Sequence, residues 1–154
     1  MIGTTKFTCL PIVLIALSLG LAACRHTPDE ERVRQAIAAA SRAVESGSAG
    51  DVVAALSKDF DGNSGELDRR SLGNMVRLAA LRGEHVGVTA GPVTIEHRGG
   101  RIVATFTVGL SRGSGGLLAG QLGIYRVESA WRQEDGQWRC YQANWKRAMS
   151  SPGA

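Results

Sequence analysis

Aromatic residues, cysteines and clustered charges are all scarce in this sequence of 154 residues. Aromatic side chains make up 5% of it, and it contains three cysteines. Lys and Arg outnumber Asp and Glu by 18 to 14, but they are spread along the chain and form no dense basic run. The scarcity of cysteine excludes a disulfide-rich scaffold, and the dispersed basic charge argues against nucleic acid as a partner. A chain of this length has room for one domain, which the packing of apolar side chains must stabilise.

The first 23 residues differ in kind from the rest of the chain. Lys6 is their one charged residue, and the apolar stretch behind it is too short to span a bilayer comfortably and is interrupted by Pro11 and Gly20. This profile predicts a signal peptide over residues 1–23. Its end, Leu21-Ala22-Ala23-Cys24, resembles the lipobox of bacterial lipoproteins, in which small residues fit a peptidase and the cysteine thiol receives a diacylglycerol. An ordinary secretory signal or a retained membrane helix is the alternative.

The lipobox resemblance implies that Cys24 is acylated and becomes the first residue of the mature chain. Residues 24–28 then form a short tether, and the lipid bilayer is the first expected partner. Arg25, rather than an aspartate, follows the cysteine, and in Gram-negative bacteria this implies the periplasmic face of the outer membrane. With Cys9 removed and Cys24 acylated, Cys140 is left alone, so that we expect no intrachain disulfide.

Apolar residues recur at helical spacing in the three segments that follow the tether. They predict helices over residues 29–45, about 51–58 and about 69–82. Acidic residues crowd the first turn of the first helix, where they complement the helix dipole. Asp68 is suited to cap the third helix, because its carboxylate can accept hydrogen bonds from the free backbone N–H groups there.

The segment between the second and third helices, residues 59–66, is rich in turn-forming residues. Asp59, Asp61 and Asn63 begin like a calcium loop, because alternate oxygen ligands on a turning backbone can surround a hard cation. The positions that would need a glycine and a glutamate hold a serine and an arginine instead. We therefore interpret the segment as a turn. The three histidines show no metal-ligand spacing either, so we expect no metal ion and no cofactor.

Hydrophobic alternation with a period of two begins after Gly83. It predicts four strands, over residues 86–97, 102–110, 122–132 and 137–146. The first of them changes phase at Gly91-Pro92, which indicates a bend. Because turns rather than helices connect the strands, the sequence predicts an α+β domain with three N-terminal helices packed on a bent antiparallel four-stranded sheet.

Several short motifs are arranged as in one known superfamily. They are Asp59-Phe60-Asp61-Gly62 after the second helix, the bent strand that ends at His97, Trp131, Asp135-Gly136-x-Trp138 and Ala143-x-Trp145. On these motifs, residues 29–147 resemble the nuclear transport factor 2-like (NTF2-like) superfamily, which is also called SnoaL-like or cystatin-like, and residues 148–154 are expected to be a disordered tail. The resemblance implies a cone-shaped fold. It does not choose a function, because the fold hosts isomerases, dehydratases and non-enzymatic binding modules.

The resemblance also implies where catalysis would occur, namely at an aspartate or an Asp–His pair inside the cone, sometimes with a tyrosine. None of the corresponding residues of this chain lies in a catalytic motif of the family, so we assign no catalytic residue. The residues with a possible role in a pocket or an interaction are Tyr125, Trp131, Trp138, Trp145, His97, Leu117 and Leu118.

These candidates differ in what they are expected to do. The tryptophans should mainly pack the sheet, although one that faces the cone could stack on a ligand. His97 shares a phase with Val93 and Ile95 and could face the cone, but a histidine at a strand end beside a Gly-Gly turn is more often solvated. Leu117 and Leu118 follow a glycine-rich stretch and would form an exposed apolar loop tip.

Two classes of function are consistent with the sequence. The favoured one is a membrane-anchored periplasmic lipoprotein whose domain, without catalysis, binds a small apolar ligand or an envelope protein, or pairs with a second copy through its sheet. The alternative is an isomerase- or dehydratase-type enzyme that acts on a small apolar substrate. Such an enzyme requires an enclosed pocket with an inward carboxylate or histidine of perturbed pKa. An apolar pocket favours binding instead.

Overall fold

The computed structural model describes residues 27–113 and 120–148, and within them three helices lie beside a mixed seven-stranded sheet. The helices are α1 (Asp29–Glu45), α2 (Ala49–Ala54) and α3 (Arg69–Leu81). The strands are β1 (Leu56–Gly62), β2 (Leu67–Asp68), β3 (Val86–Ala90), β4 (Thr94–Arg98), β5 (Arg101–Arg112), β6 (Gly120–Glu134) and β7 (Gln137–Arg147). The predicted signal peptide, Cys24, Leu117, Leu118 and residues 149–154 lie outside the described residues.

Helix α1 forms where the sequence predicts it. Three acidic residues occupy its first turn, where the free backbone N–H groups favour negative charge. Val33 and Ile37, one turn apart, are buried and form its inward stripe. Gly47 follows the helix with a φ of 70°, in the left-handed region that favours glycine. The chain can therefore turn sharply into α2.

The prediction of a helix over residues 51–58 is wrong in its second half. Helix α2 ends at Ala54, and Leu56 begins β1, which continues through part of the predicted turn. Strand β1 lies parallel to β7, with Leu56 opposite Cys140. Leu56 and Phe60 are buried in the core. This pairing joins segments far apart in the chain, so that tertiary packing overrides the local helical spacing.

Asp68 caps α3, as the sequence predicts. Its carboxylate accepts a hydrogen bond from the backbone N–H of Ser71 at 2.7 Å, and this bond lowers the pKa of Asp68. On the same helix, Gly73 permits close contact with α2, because a Cβ there would lie 2.6 Å from Cγ2 of Val53. The cap and the glycine together fix where α3 starts and what it packs against.

The sheet contains seven strands rather than the predicted four, and one of its pairings is parallel. The strand order is β2-β1-β7-β6-β5-β3, and β4 also pairs with β5. Strands β1 and β2 precede α3 and have no counterpart in the prediction. The predicted bent strand over 86–97 is divided at Gly91-Pro92 into β3 and β4, which pair with opposite halves of β5. Proline has no N–H to donate to a ladder, which accounts for the division.

Strands β5, β6 and β7 form the antiparallel meander that the sequence predicts. The hairpin between β6 and β7 turns at Asp135 and Gly136, whose φ angles of 51° and 75° suit a two-residue turn with positive φ at both positions. On the inner face of β5, Ile102 and Ala104 are completely buried. The meander therefore supplies the surface against which α1 packs.

Two clusters of buried apolar side chains hold the helices in place. The larger one joins α1 to the sheet, and its central members are Val33, Ile37, Ile102, Trp131 and Cys140. The smaller one joins the three helices to each other and consists of Ala43, Ala49, Val52 and Val76. Complete burial of a large apolar side chain contributes about 1.5–3 kcal/mol, so that the larger cluster dominates the attachment of α1.

Gly47 and Gly99 test how closely the end of α1 must approach α3. Both have a positive φ, but a Cβ on Gly47 would lie 2.8 Å from the Cβ of Ala80, whereas a Cβ on Gly99 would meet nothing within 4 Å. We expect Gly99→Ala to lower the free energy of unfolding by about 1 kcal/mol through backbone strain. Gly47→Ala should lower it by about 2–4 kcal/mol, because steric overlap adds to the strain. Urea unfolding measures both, and equal losses would contradict the close packing.

Candidate functional site

A cavity of about 680 Å³ lies between α1, α3 and the inner face of the sheet. Buried side chains, including Leu56, Phe60 and Trp131, close its deep end. Its mouth lies beside the C-terminal half of α3, where Met75 and Leu78 line it and are 58% and 48% exposed. Small-ligand pockets in proteins span roughly 300–1,000 Å³, so that this cavity has the size of a binding site.

The sheet contributes to the cavity through every second residue of β5 and β6. On β5 these residues include Phe106, Val108 and Leu110, and on β6 they include Tyr125 and Val127. The register places Phe106 opposite Val127 and Val108 opposite Tyr125, so that the two rows of side chains are neighbours on one face. These five side chains therefore form an apolar surface whose one polar group is the phenol of Tyr125.

The deep part of the cavity presents polar groups that already have partners. Ser129 donates a hydrogen bond to the carbonyl oxygen of Ala104 at 3.3 Å and accepts one from Nε1 of Trp131 at 2.9 Å. On the helix wall of the cavity, half-buried Ser41 of α1 donates to the carbonyl oxygen of Ile37 at 3.1 Å. Across residues 27–113 and 120–148, no buried side-chain nitrogen or oxygen lacks a partner. A polar ligand group beside Ser129 and Trp131 would lose its hydration without finding a free hydrogen-bonding group in that pair, so that this part of the cavity selects apolar groups.

Cys140 lies at the deep end of the cavity as an inert lining residue. Burial raises the pKa of its thiol to about 12, because the thiolate would lose its hydration there. Its Sγ donates to the carbonyl oxygen of Gln142 at 3.2 Å. The thiol remains protonated at neutral pH and behaves as a small apolar group rather than as a nucleophile.

Charged side chains line the cavity only at its mouth, as far as the described residues show. They are Arg82, directly after α3, Glu84, and Arg112 at the end of β5. Nη2 of Arg112 lies 3.4 Å from Oε2 of Glu84, and Nη1 of Arg82 lies 4.0 Å from Oε1 of the same carboxylate. One carboxylate thus faces two guanidinium groups, which leaves the mouth with a net positive charge.

Three of the residues selected from the sequence line this cavity, namely Tyr125, Trp131 and Trp145. Trp131 is buried, and its indole N–H is bonded to Ser129, so that its position is fixed. Trp145 lies against Gly62 of β1, where a Cβ would come within 2.9 Å of its ring. These aromatic rings shape the wall of the cavity.

His97 and Trp138 lie outside the large cavity. Both line a smaller one of about 290 Å³ near the N-terminus of α1. Nε2 of His97 lies 3.0 Å from Oε1 of Glu30, and the imidazole is more than half exposed. Nε1 of Trp138 donates to the carboxylate of Asp29 at 3.0 Å. The two residues thus connect the strands to the start of α1 and do not face the cone.

The residues that begin like a calcium loop have other partners. Asp59 forms an ion pair with Arg132 at 2.6 Å. Asp61 accepts a hydrogen bond from a backbone N–H of the turn that follows it, at 2.6 Å. The side-chain oxygen of Asn63 accepts one from the backbone N–H of Trp145 at 2.8 Å. In the part of the chain that the structure describes, no three His, Cys, Asp or Glu side chains are grouped so that they could hold a metal ion.

Sequence reasoning missed the residues at the mouth. Arg82, Glu84 and Arg112 come from the end of a helix, the loop after it and the end of a strand, and in the sequence they are isolated charges. No local spacing could have joined them. The inward row of β5, in contrast, could be recognised from the alternation of apolar residues along residues 102–110.

Comparison of the sequence with protein-family models and with curated proteins gives no match. Comparison of the structure with solved structures does give matches. An NTF2-like protein with a cystatin-like fold from Novosphingobium aromaticivorans superimposes with a TM-score of 0.68 at 18% identity, over 97% of this chain and 95% of that one.

Two further similar structures belong to proteins proposed to be dehydratases. One, of the NTF2-like family, is from Streptomyces avermitilis and superimposes with a TM-score of 0.64 at 14% identity, over 79% of this chain and 97% of that one. The other, proposed to be a scytalone dehydratase, is from Novosphingobium aromaticivorans. It superimposes with a TM-score of 0.67 at 12% identity, over 79% of this chain and 85% of that one. The chain therefore has the α+β NTF2-like fold, and at these identities the likeness extends to the fold alone.

Cys140 offers a test of how well the deep end of the cavity is closed. In a chain that carries Cys9→Ser and Cys24→Ser, Cys140 is the remaining thiol. Because it is buried and its pKa is raised to about 12, we expect no appreciable reaction with Ellman's reagent in mildly alkaline buffer, and full reaction in guanidinium chloride. Rapid labelling of the folded protein would show that the deep end is open to water.

Proposed function

We propose that this chain is a membrane-anchored lipoprotein whose domain binds a small apolar ligand without catalysing a reaction on it. The observation that carries the binding proposal is the cavity of about 680 Å³ with its apolar lining. Apolar surface gains about 25 cal/mol for each Å² removed from water, so that a ligand burying about 300 Å² would gain roughly 7 kcal/mol before the costs of ordering. That gain is sufficient for a specific but exchangeable ligand.

The lining favours binding over the isomerase or dehydratase alternative. Such a reaction needs a group inside the cavity that gives or takes a proton. Among the described lining residues, Tyr125 has no aspartate or histidine to act with, Cys140 keeps its proton at neutral pH, and Glu84 lies at the mouth between two arginines. His97 lies outside the cavity. Similarity to proteins proposed to be dehydratases concerns the fold, which hosts binding modules as well.

Blocking the cavity tests the binding proposal. Val108→Trp places an indole in the cavity, whereas Thr107→Trp places the same bulk on the other face of β5. We expect the purified protein to bind the neutral fluorophore N-phenylnaphthylamine, Val108→Trp to weaken binding at least about tenfold, and Thr107→Trp to change it less than about twofold.

Fluorescence titration measures the affinities, and thermal unfolding followed by circular dichroism verifies that each variant is folded. Two results would refute binding in this cavity. One is a native protein that does not bind the fluorophore, and the other is an equal loss of affinity in two folded variants.

We further propose that acylated Cys24 holds the domain at the bilayer, on the strength of the lipobox resemblance. None of the helices formed by the described residues is long and apolar enough to cross a membrane. Helix α1 has 17 residues and spans about 25 Å at 1.5 Å per residue. The tether joins it at Asp29, whereas its cavity-lining residues, from Ile37 to Val44, belong to its C-terminal part. A short tether would therefore hold the start of α1, rather than its cavity-lining part, at the lipid.

Serine variants of Cys9 and Cys24 distinguish the loss of lipidation from other effects of replacing a cysteine. We expect Cys24→Ser to abolish incorporation of labelled palmitate and to leave the precursor unprocessed, because the acylated thiol is needed for cleavage. Cys9→Ser should incorporate label normally, because Cys9 lies in the predicted signal peptide. Fluorography and membrane fractionation of both variants measure this. Normal labelling and processing of Cys24→Ser would refute the anchor.

A further inference from the structure

The cavity mouth differs from the rest of the lining because it carries charged side chains. Arg82, Glu84 and Arg112 carry every formal charge on the described residues that line the cavity, and all three are at one end. The side chains of Arg82 and Arg112 are 63% and 59% exposed, whereas that of Glu84 is 26% exposed. The two cations thus face solvent at the entrance, and the carboxylate lies between and beneath them.

Glu84 does not use up the hydrogen-bonding capacity of the two guanidinium groups. It offers one oxygen to each arginine, at 4.0 Å and 3.4 Å, and it is the carboxylate that each contacts among the described residues. A guanidinium group has five N–H donors in a planar fork that suits a carboxylate or a phosphate. As far as the described residues show, most of the ten donors are therefore free for an anion that enters the mouth.

The backbone around these residues is held in place. The N–H of Arg82 bonds to the carbonyl oxygens of Leu78 and Ala79 at the end of α3. The N–H of Gly113, directly after Arg112, bonds to the carbonyl oxygen of His85 at 3.2 Å. The helix end and the strand end are thus joined through the loop that carries Glu84. The fold therefore fixes the two backbone positions from which the guanidinium groups extend.

We propose that the ligand is a single-chain amphiphile with an anionic head group, whose apolar chain fills the cavity while Arg82 and Arg112 bind the head group at the mouth. This inference rests on the proposed binding function and specifies its ligand. An anionic head group beside Ser129 and Trp131 would lose its hydration without compensation, because these two side chains are already paired with each other and the backbone. A purely apolar ligand would gain nothing from two arginines at the entrance. The combination of an apolar cavity and a cationic mouth matches a molecule that has both characters.

Two probes that differ only in the head group test this ligand class. Decanoic acid and decanol carry the same chain, and each is titrated as a competitor against bound N-phenylnaphthylamine. At neutral pH we expect decanoic acid to displace it at about one tenth of the concentration that decanol requires, and added salt to remove this preference. A carboxylate and a phosphate head group could both bind to the two arginines. A third titration with decyl phosphate shows which of these head groups the mouth prefers.

Variants at the mouth give effects in opposite directions. Arg82→Met and Arg112→Met should weaken decanoic acid binding about fivefold to tenfold and decanol binding much less. Arg77→Met, on the exposed face of α3, is the matched control and should change neither. Glu84→Gln should strengthen decanoic acid binding severalfold, because the competing carboxylate is removed while the shape is kept.

The outcomes distinguish this inference from the proposed function beneath it. Equal displacement by the acid and the alcohol, unaffected by the mouth variants, would overturn the anionic ligand and leave apolar binding standing. A protein that binds neither the fluorophore nor either decyl probe would overturn the binding function itself. A preference for the acid that Glu84→Gln increases and Arg112→Met abolishes would support both.

Discussion

The packing of α1 along the inner face of the sheet is the contact on which the rest of the molecule depends. Val33 in the first half of the helix and Ile102 on β5 are both fully inaccessible to solvent and belong to the same cluster. The second half, from Ile37 to Val44, instead lines the large cavity. One helix therefore closes the cone at one end and forms the wall of the cavity at the other. A loss of packing around Val33 would disturb the fold and the cavity together.

The chemistry of the cavity follows from how its polar groups are distributed. Ser129 and the indole of Trp131 bond to each other, Ser129 also bonds to a backbone carbonyl, and the thiol of Cys140 keeps its proton because of burial. Formal charge on the described lining is confined to the mouth. Such a gradient from apolar depth to charged rim is suited to holding an amphiphile. Among the described lining residues, no aspartate or histidine lies inside the cone to give or take a proton in acid–base catalysis.

The sequence predicts the elements whose signals are local. The apolar spacing along α1, the capping carboxylate of Asp68 and the alternation along β5, β6 and β7 all appear in the structure. It does not predict β1, because that strand is defined by parallel pairing with β7, which follows it by about 75 residues. The wall of the cavity could be inferred from the inward row of β5, but the mouth could not. Arg82 and Arg112 meet Glu84 only after helix, loop and strand have assembled.

Binding inside the cone is the central claim, and methyl NMR of the folded protein during a titration with decanol tests it most directly. Val108, Leu110 and Val127 line the cavity, whereas Val103 is buried on β5 without lining it. The account predicts progressive, saturable shifts of the first three methyl signals while those of Val103 stay nearly unchanged. An absence of saturable shifts, or shifts confined to residues outside the cavity, would contradict it.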